Sequence, residues 1–213
     1  MASSTTSFMR SGFCSSPRVP RVYCEHQKLP ETQATRIGRR EIILRSSELA
    51  VIAAIFNFSG TKPNYLGVQK NSQSLALCPA TKNCISTAED STDLMHYAPP
   101  WNYNPENGRG KNKPVSRKEA MNELLEVIKS TRPDKFTPNI VEKTDNYIHV
   151  EYKSPILGFV DDVEFWFPPG KKSVVEYRSA SRKGSFDFEI NKKRVKALRL
   201  ELEKKGWASE GSF

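Results

Sequence analysis

Between Asn139 and Ser179 the chain carries four alternating segments in succession, NIVEKT, YIHVEY, FVDDVEFWF and SVVEYRS, and little else. In the third, Val163, Phe165 and Phe167 alternate with Asp162, Glu164 and Trp166. A period of two sends successive side chains to opposite faces of a strand. Asp145–Asn146 separates the first two segments, and Pro168-Pro169-Gly170-Lys171 separates the last two. Connections this short join antiparallel neighbours. The pattern predicts a four-stranded antiparallel sheet with one covered face, holding Ile148, Val150, Tyr152, Val163, Phe165 and Phe167, and one polar face.

Helical periodicity flanks this block. In SRKEAMNELLEVIKS, Ser116 followed three residues later by Glu119 forms a capping box. Ala120, Met121, Leu124, Leu125 and Ile128 then recur at helical spacing, and Pro133 ends the run. At the other side, NKKRVKALRLELEKKGW offers Asn191 as N-cap, Val195, Leu198 and Leu202 as one apolar face, and Gly206 as terminator. Helix, four strands and helix predict an α+β domain with two helices on one sheet face, over residues 115–213.

Residues 61–114 show neither period. They read as an extended irregular arm, with Leu66, Val68, Leu75 and Leu77 lying along the core. An exposed loop then follows from Pro99 to Pro114, with Tyr97, Trp101 and Tyr103 as lids over a core edge or, alternatively, a contact patch.

The first sixty residues have a different composition. No acidic residue precedes Glu25, and Ser, Thr and scattered Arg dominate. Residues 1–38 read as a chloroplast transit peptide. Arg39–Arg40 then precedes an apolar run from Leu49 to Phe58, the pattern of a twin-arginine-type thylakoid transfer signal over residues 39–60. Such a run is about half the ~20 residues needed to span a bilayer, so no permanent transmembrane span is expected in the mature form; the segment is either removed or stays attached as an interfacial anchor. Eight Lys/Arg and four Asp/Glu fall in residues 1–60, which leaves 25 and 20 for the remainder. A domain so mildly basic makes a weak case for nucleic acid, and no nucleic-acid partner is expected.

Cys78 and Cys84 enclose CPATKNC. With Cys14 and Cys24 in the leader, they are the two thiols of the mature domain. Pro79 and Asn83 favour a turn between them. A structural disulfide, free or packed thiols, and a redox-regulated pair all fit this spacing. Zinc fits poorly, because two further ligands would have to come from His96 and His149. Neither a metal nor a cofactor is expected.

The stretch YRSASRKGSFDFEIN, Tyr177–Asn191, gathers small hydroxyls and cations ahead of a helix. Arg178, Ser181, Arg182, Gly184, Ser185 and Arg194 are candidates for binding an anion. Arg182 would clamp it, and Ser181 and Ser185 would donate hydrogen bonds. Asp162 or Asp187 would orient the arginine. Asp161 and Asp162 are adjacent in a strand and face opposite ways, so they cannot easily share a metal or proton. The alternative is structural: Arg182 pairs with Asp187 to fix the loop, and the lysines are solvated. His149 reads as a satisfied or exposed strand residue.

Three blocks resemble the domain of unknown function 1499 family of bacteria and photosynthetic eukaryotes. They are KPNYLGV with LALCPATKNCIS, then LGFVDDVEFWF, then YRSASRKGSFDFEINKKRV, across about residues 62–207. The family's Cys-Pro and Asn-Cys stand at Cys78, Pro79, Asn83 and Cys84. Lys82 occupies the place of a second proline, and Asp187-Phe188-Glu189 that of an Asp-Leu-Gly. The resemblance implies a fold and an envelope-type ancestry, and brings no reaction with it. The expected role is that of a non-catalytic accessory or assembly protein of the thylakoid lumen or lumenal membrane surface. Its partner would be a thylakoid membrane protein complex or assembly intermediate. The alternative is an anion-ligand-binding protein or enzyme using the Arg178–Asn191 loop.

Overall fold

The computed structural model of the protein describes residues 58–211. The transit-peptide and twin-arginine readings fall outside these residues, apart from Phe58–Gly60. In chain order come β1 (Cys84–Ser86), β2 (Trp101–Asn102), α1 (Arg109–Asn112) and α2 (Arg117–Ser130). A 3-10 turn at Pro133–Lys135 leads into β3 (Thr137–Lys143), β4 (Tyr147–Lys153), β5 (Val160–Trp166) and β6 (Val174–Ser181). Then come α3 (Ile190–Lys204) and β7 (Ala208–Ser209).

The class is α+β with an antiparallel sheet. The sheet has seven strands rather than the four expected, in the order β3-β4-β5-β6-β2-β7, with β1 also paired to β6. The extra strands are two or three residues long, too short to show a period. β1 and β2 share one edge of β6, β1 against Arg178–Ala180 and β2 against Val174–Val175. The segment read as irregular thus supplies part of the sheet. Trp101, expected in an exposed loop, is buried in β2, and Tyr103 beside it is buried too. Both pack on Trp207 beyond α3, and Trp101 also packs on Tyr177.

One edge of the sheet is β3. It is mostly exposed, contains Pro138, and carries an irregularity between Ile140 and Glu142. Proline and bulges are how edge strands resist pairing with other chains.

One face of the sheet is apolar. Ile148, Val150, Tyr152, Val163, Phe165 and Phe167 join Leu124 and Ile128 of α2 and Val195 and Leu198 of α3 in one core. The capping box of α2 forms as expected: Ser116 Oγ accepts from the Glu119 amide, and Glu119 accepts from the Ser116 amide. The start of α3 differs. Asn191 lies inside its first turn, and Asp187 satisfies the end by accepting the amides of Glu189 and Asn191. Asn191 is drawn inward by buried polar partners, which outcompete a capping role. Gly206, at φ +91°, takes the left-handed conformation that stops α3.

The other face is covered as well, contrary to expectation. β5 is buried along its whole length. The arm supplies the cover: Leu75 and Val68 pack on Tyr147 and Trp166, and the Gly67 amide donates to Glu164 Oε1 at 2.6 Å. A disulfide joins Cys78 to Cys84 and ties the end of the arm to the start of β1. Closing so small a ring restricts the unfolded chain by about 2 kcal/mol.

Candidate functional site

The covered polar face is the most highly charged part of the interior. His149, Asp162, Glu164 and Arg178 are each no more than 1% exposed. Isolated charges at such depth would cost several kcal/mol each, so each must find a partner. Arg182 donates Nε and Nη2 to the two oxygens of Asp162, both at 2.7 Å. It also donates to Glu151. His149 Nε2 lies 2.8 Å from the same Asp162. Burial works against the charge on Asp162, but Arg182 and then His149 outweigh it and hold the carboxyl below its usual value. Asp162 also raises Arg182 above its already high value.

Glu164 makes a second group. It accepts from Tyr147 Oη at 2.8 Å and from the Gly67 amide, with Arg178 Nη1 3.5 Å from Oε2. Arg178 lies opposite Glu164 in the strand register, and its guanidinium stacks on Tyr65 of the arm at 5.0 Å. Burial pushes Glu164 up, against the lowering by Gly67, Tyr147 and Arg178. Burial and the charge of Glu164 likewise push up the Tyr147 hydroxyl.

On the helix face, Asp161 pairs with Arg194 Nη2 at 2.6 Å. That guanidinium is fully buried, 4.6 Å from the centre of the Tyr152 ring and 5.0 Å from that of Phe136. Burial, eased by Arg194, pushes Tyr152 up to about 12. Asn191 is the hub of this side. Its oxygen accepts from Ser179 Oγ and Arg194 Nη1, and its amide donates to Asp187, Ser181 and the Asn83 carbonyl.

The candidates for an anion cradle therefore divide. Arg178 and Arg182 lie beneath the arm, already beside Glu164, Asp162 and Glu151. Ser181 and Arg194 lie on the helix side with Asp161 and Asp187. Gly184 and Ser185 sit in the exposed loop between, and their carbonyls accept from the Asn83 side chain and the Lys82 amide. Asp187 caps α3 instead of pairing with Arg182. The disulfide ring thereby braces this loop, because Lys82 and Asn83 belong to the ring.

Sequence reasoning passed over Tyr147, Glu151, Glu164 and Asn83. The signal for Glu164 was available: the hairpin between β5 and β6 sets a glutamate directly against Arg178. Asn83 was marked only as a turn residue and as part of the family's Asn-Cys, and nothing there pointed to its bonds with Gly184 and Asn191.

Sequence reasoning also passed over Phe186 and Phe188. They flank Asp187, their rings 5.0 Å apart, and are 53% and 73% exposed. Phe188 and Glu189 hold φ of 55° and 62°. Side chains at positive φ cost of order 1 kcal/mol each and mark places where neighbours over-determine the backbone. Here the Asp187–Asn191 bonds do so. The two rings border a cavity of about 260 Å³ that also touches Phe136, Phe159, Lys183 and Ile190.

Among the described residues no three His, Cys, Asp or Glu side chains are grouped to hold a metal ion. No helix there is long and apolar enough to cross a membrane. No curated protein matches the chain. A family model described as "Protein of unknown function (DUF1499)" matches residues 74–202, from the arm's apolar anchor Leu75 to the last core leucine of α3, Leu202. The chain belongs to that family.

Proposed function

We propose that this protein is a non-catalytic accessory or assembly factor of the thylakoid lumen or lumenal membrane surface. One observation carries the reading: the domain buries a set of paired charges inside its scaffold and leaves two phenylalanine rings exposed on one loop. Arg182, Arg194, Asp161 and Asp162 are spent on one another inside the scaffold, while Phe186 and Phe188 project from a braced loop. Buried, paired charges hold a fold in register, and exposed apolar loops bind partners.

The location is supported by the leader, with its acid-poor start and its arginine pair ahead of an apolar run. It is also supported by the Cys78–Cys84 bond, which an oxidising compartment preserves. An anion-binding role for the Arg178–Asn191 loop is less favoured, since its two interior arginines already face carboxylates. The test is affinity capture of the tagged protein from thylakoids at native expression, after protease protection has located it. A specific membrane complex or assembly intermediate is expected in the eluate. A protein found outside the thylakoid, or an eluate with no specific partner, overturns the reading.

A further inference from the structure

One end of the sheet differs from the other. The β4–β5 connection and the β6–α3 loop both leave at this end, because Lys153 pairs with Val160 and Asp161 with Ser181. The first exposes Ile156 at 82% and Leu157 at 40%, and the second exposes Phe186 and Phe188. Phe159, at the base of the first loop, shares the cavity that the two phenylalanines border. The exposed apolar side chains of these two loops thus lie at the same end of the sheet, its tip, while Leu77, Leu94 and Met95 of the arm are exposed outside these loops. Of the large apolar residues that are strongly exposed, none lies in the turns at the opposite end, 144–146 and 168–173.

Lysines surround the tip. Lys82, Lys135, Lys153, Lys183 and Lys193 are exposed there, against exposed Asp134 and Glu189. Lys193 bends back to donate to the Phe188 carbonyl at 3.0 Å. The chain also enters at this end. The Phe58 ring lies 5.3 Å from that of Phe159, and a Cβ on Gly60 would meet Arg182 and Lys183. The residues before Phe58 are the apolar run that begins at Leu49.

Loops with exposed apolar side chains and a lysine collar fit a membrane–water interface better than a groove-binding partner. We infer that this end docks on the surface of an anionic lipid bilayer, with Ile156, Leu157, Phe186 and Phe188 entering the headgroup region. The inference rests on the membrane-surface location proposed above, and it names the face that meets the membrane.

The test uses the full chain with vesicles of phosphatidylglycerol and phosphatidylcholine. Phe188→Trp places a reporter at the tip and Lys172→Trp one at the opposite end. The unsubstituted chain supplies the background of the three buried tryptophans. With vesicles, the tip reporter should shift to the blue and be roughly halved by brominated lipid, while Lys172→Trp stays unquenched. Phe186→Ser with Phe188→Ser should weaken vesicle binding roughly tenfold against the same leader, and added salt should weaken it further. An unquenched Phe188→Trp on vesicles that still carry the protein would assign binding to the leader alone and overturn the inference. So would a tip that cross-links to a protein in thylakoids instead of meeting lipid. If lipid contact fails while capture still recovers a specific complex, the docking face is wrong and the accessory role survives.

Discussion

The two faces of this sheet reach the same burial by opposite chemistries. Toward the helices, Ile148, Val150, Val163 and Phe165 meet Leu124, Ile128 and Leu198. Toward the arm, His149, Asp162, Glu164 and Arg178 are as deeply buried, and hydrogen bonds and ion pairs replace apolar contact. An apolar face tolerates imperfect partners, since dispersion and water exclusion are not directional. A charged face does not. Each group there depends on one or two others, so the loss of one strands the rest. The difference teaches that alternation in a strand reports which side is apolar and does not report which side is dry.

The sharpest way to break this comparison is Arg182→Ala. It leaves Asp162 buried with only His149 beside it, and a loss of about 3–5 kcal/mol in denaturant unfolding is expected. Leu198→Ala on the other face should cost a similar ~2–5 kcal/mol through a cavity. A cost below about 1 kcal/mol for Arg182→Ala would mean that the arm face is wet.

A smaller effect sharpens the comparison within the charged face. Glu164 has a raised pKa, so its favourable contribution is present below its ordinary value of 4.5 and is lost as pH rises through the raised one. Asp162 has a lowered pKa, so its contribution is present above 3.8 and is lost as pH falls through the lowered one. Glu164→Gln should therefore lie within about 1 kcal/mol of the unsubstituted protein at neutral pH, with any gain shrinking on acidification. Asp162→Asn should cost most at neutral pH and progressively less below 3.8. Stability curves from pH 3 to 8 for both variants separate the two signs.

Much of the apolar side was legible in the sequence. The alternation of Val163, Phe165 and Phe167 and the capping box at Ser116 follow from local periods, and local rules place them. β1, β2 and β7 were not legible, because a strand of two or three residues exists only through its neighbour. The dryness of the polar face was hidden for a related reason: the cover comes from Tyr65–Leu75, some seventy to a hundred residues away in the chain. The start of α3 was misplaced at Asn191 because long-range bonds to Ser179 and Asn83 outbid the local cap. The exposed phenylalanines were missed because a hydrophobic residue in a loop gives no sign of whether the loop is braced to hold it outside.

The most direct measurement is native-state hydrogen exchange at the Gly67 amide, which reaches across the interface from the arm to Glu164. If the charged face is a dry structural layer, this amide exchanges with the protection of the β5 amides beneath it. Exchange at the rate of an exposed loop, with β5 still protected, would show an arm that is not seated and would contradict the buried network.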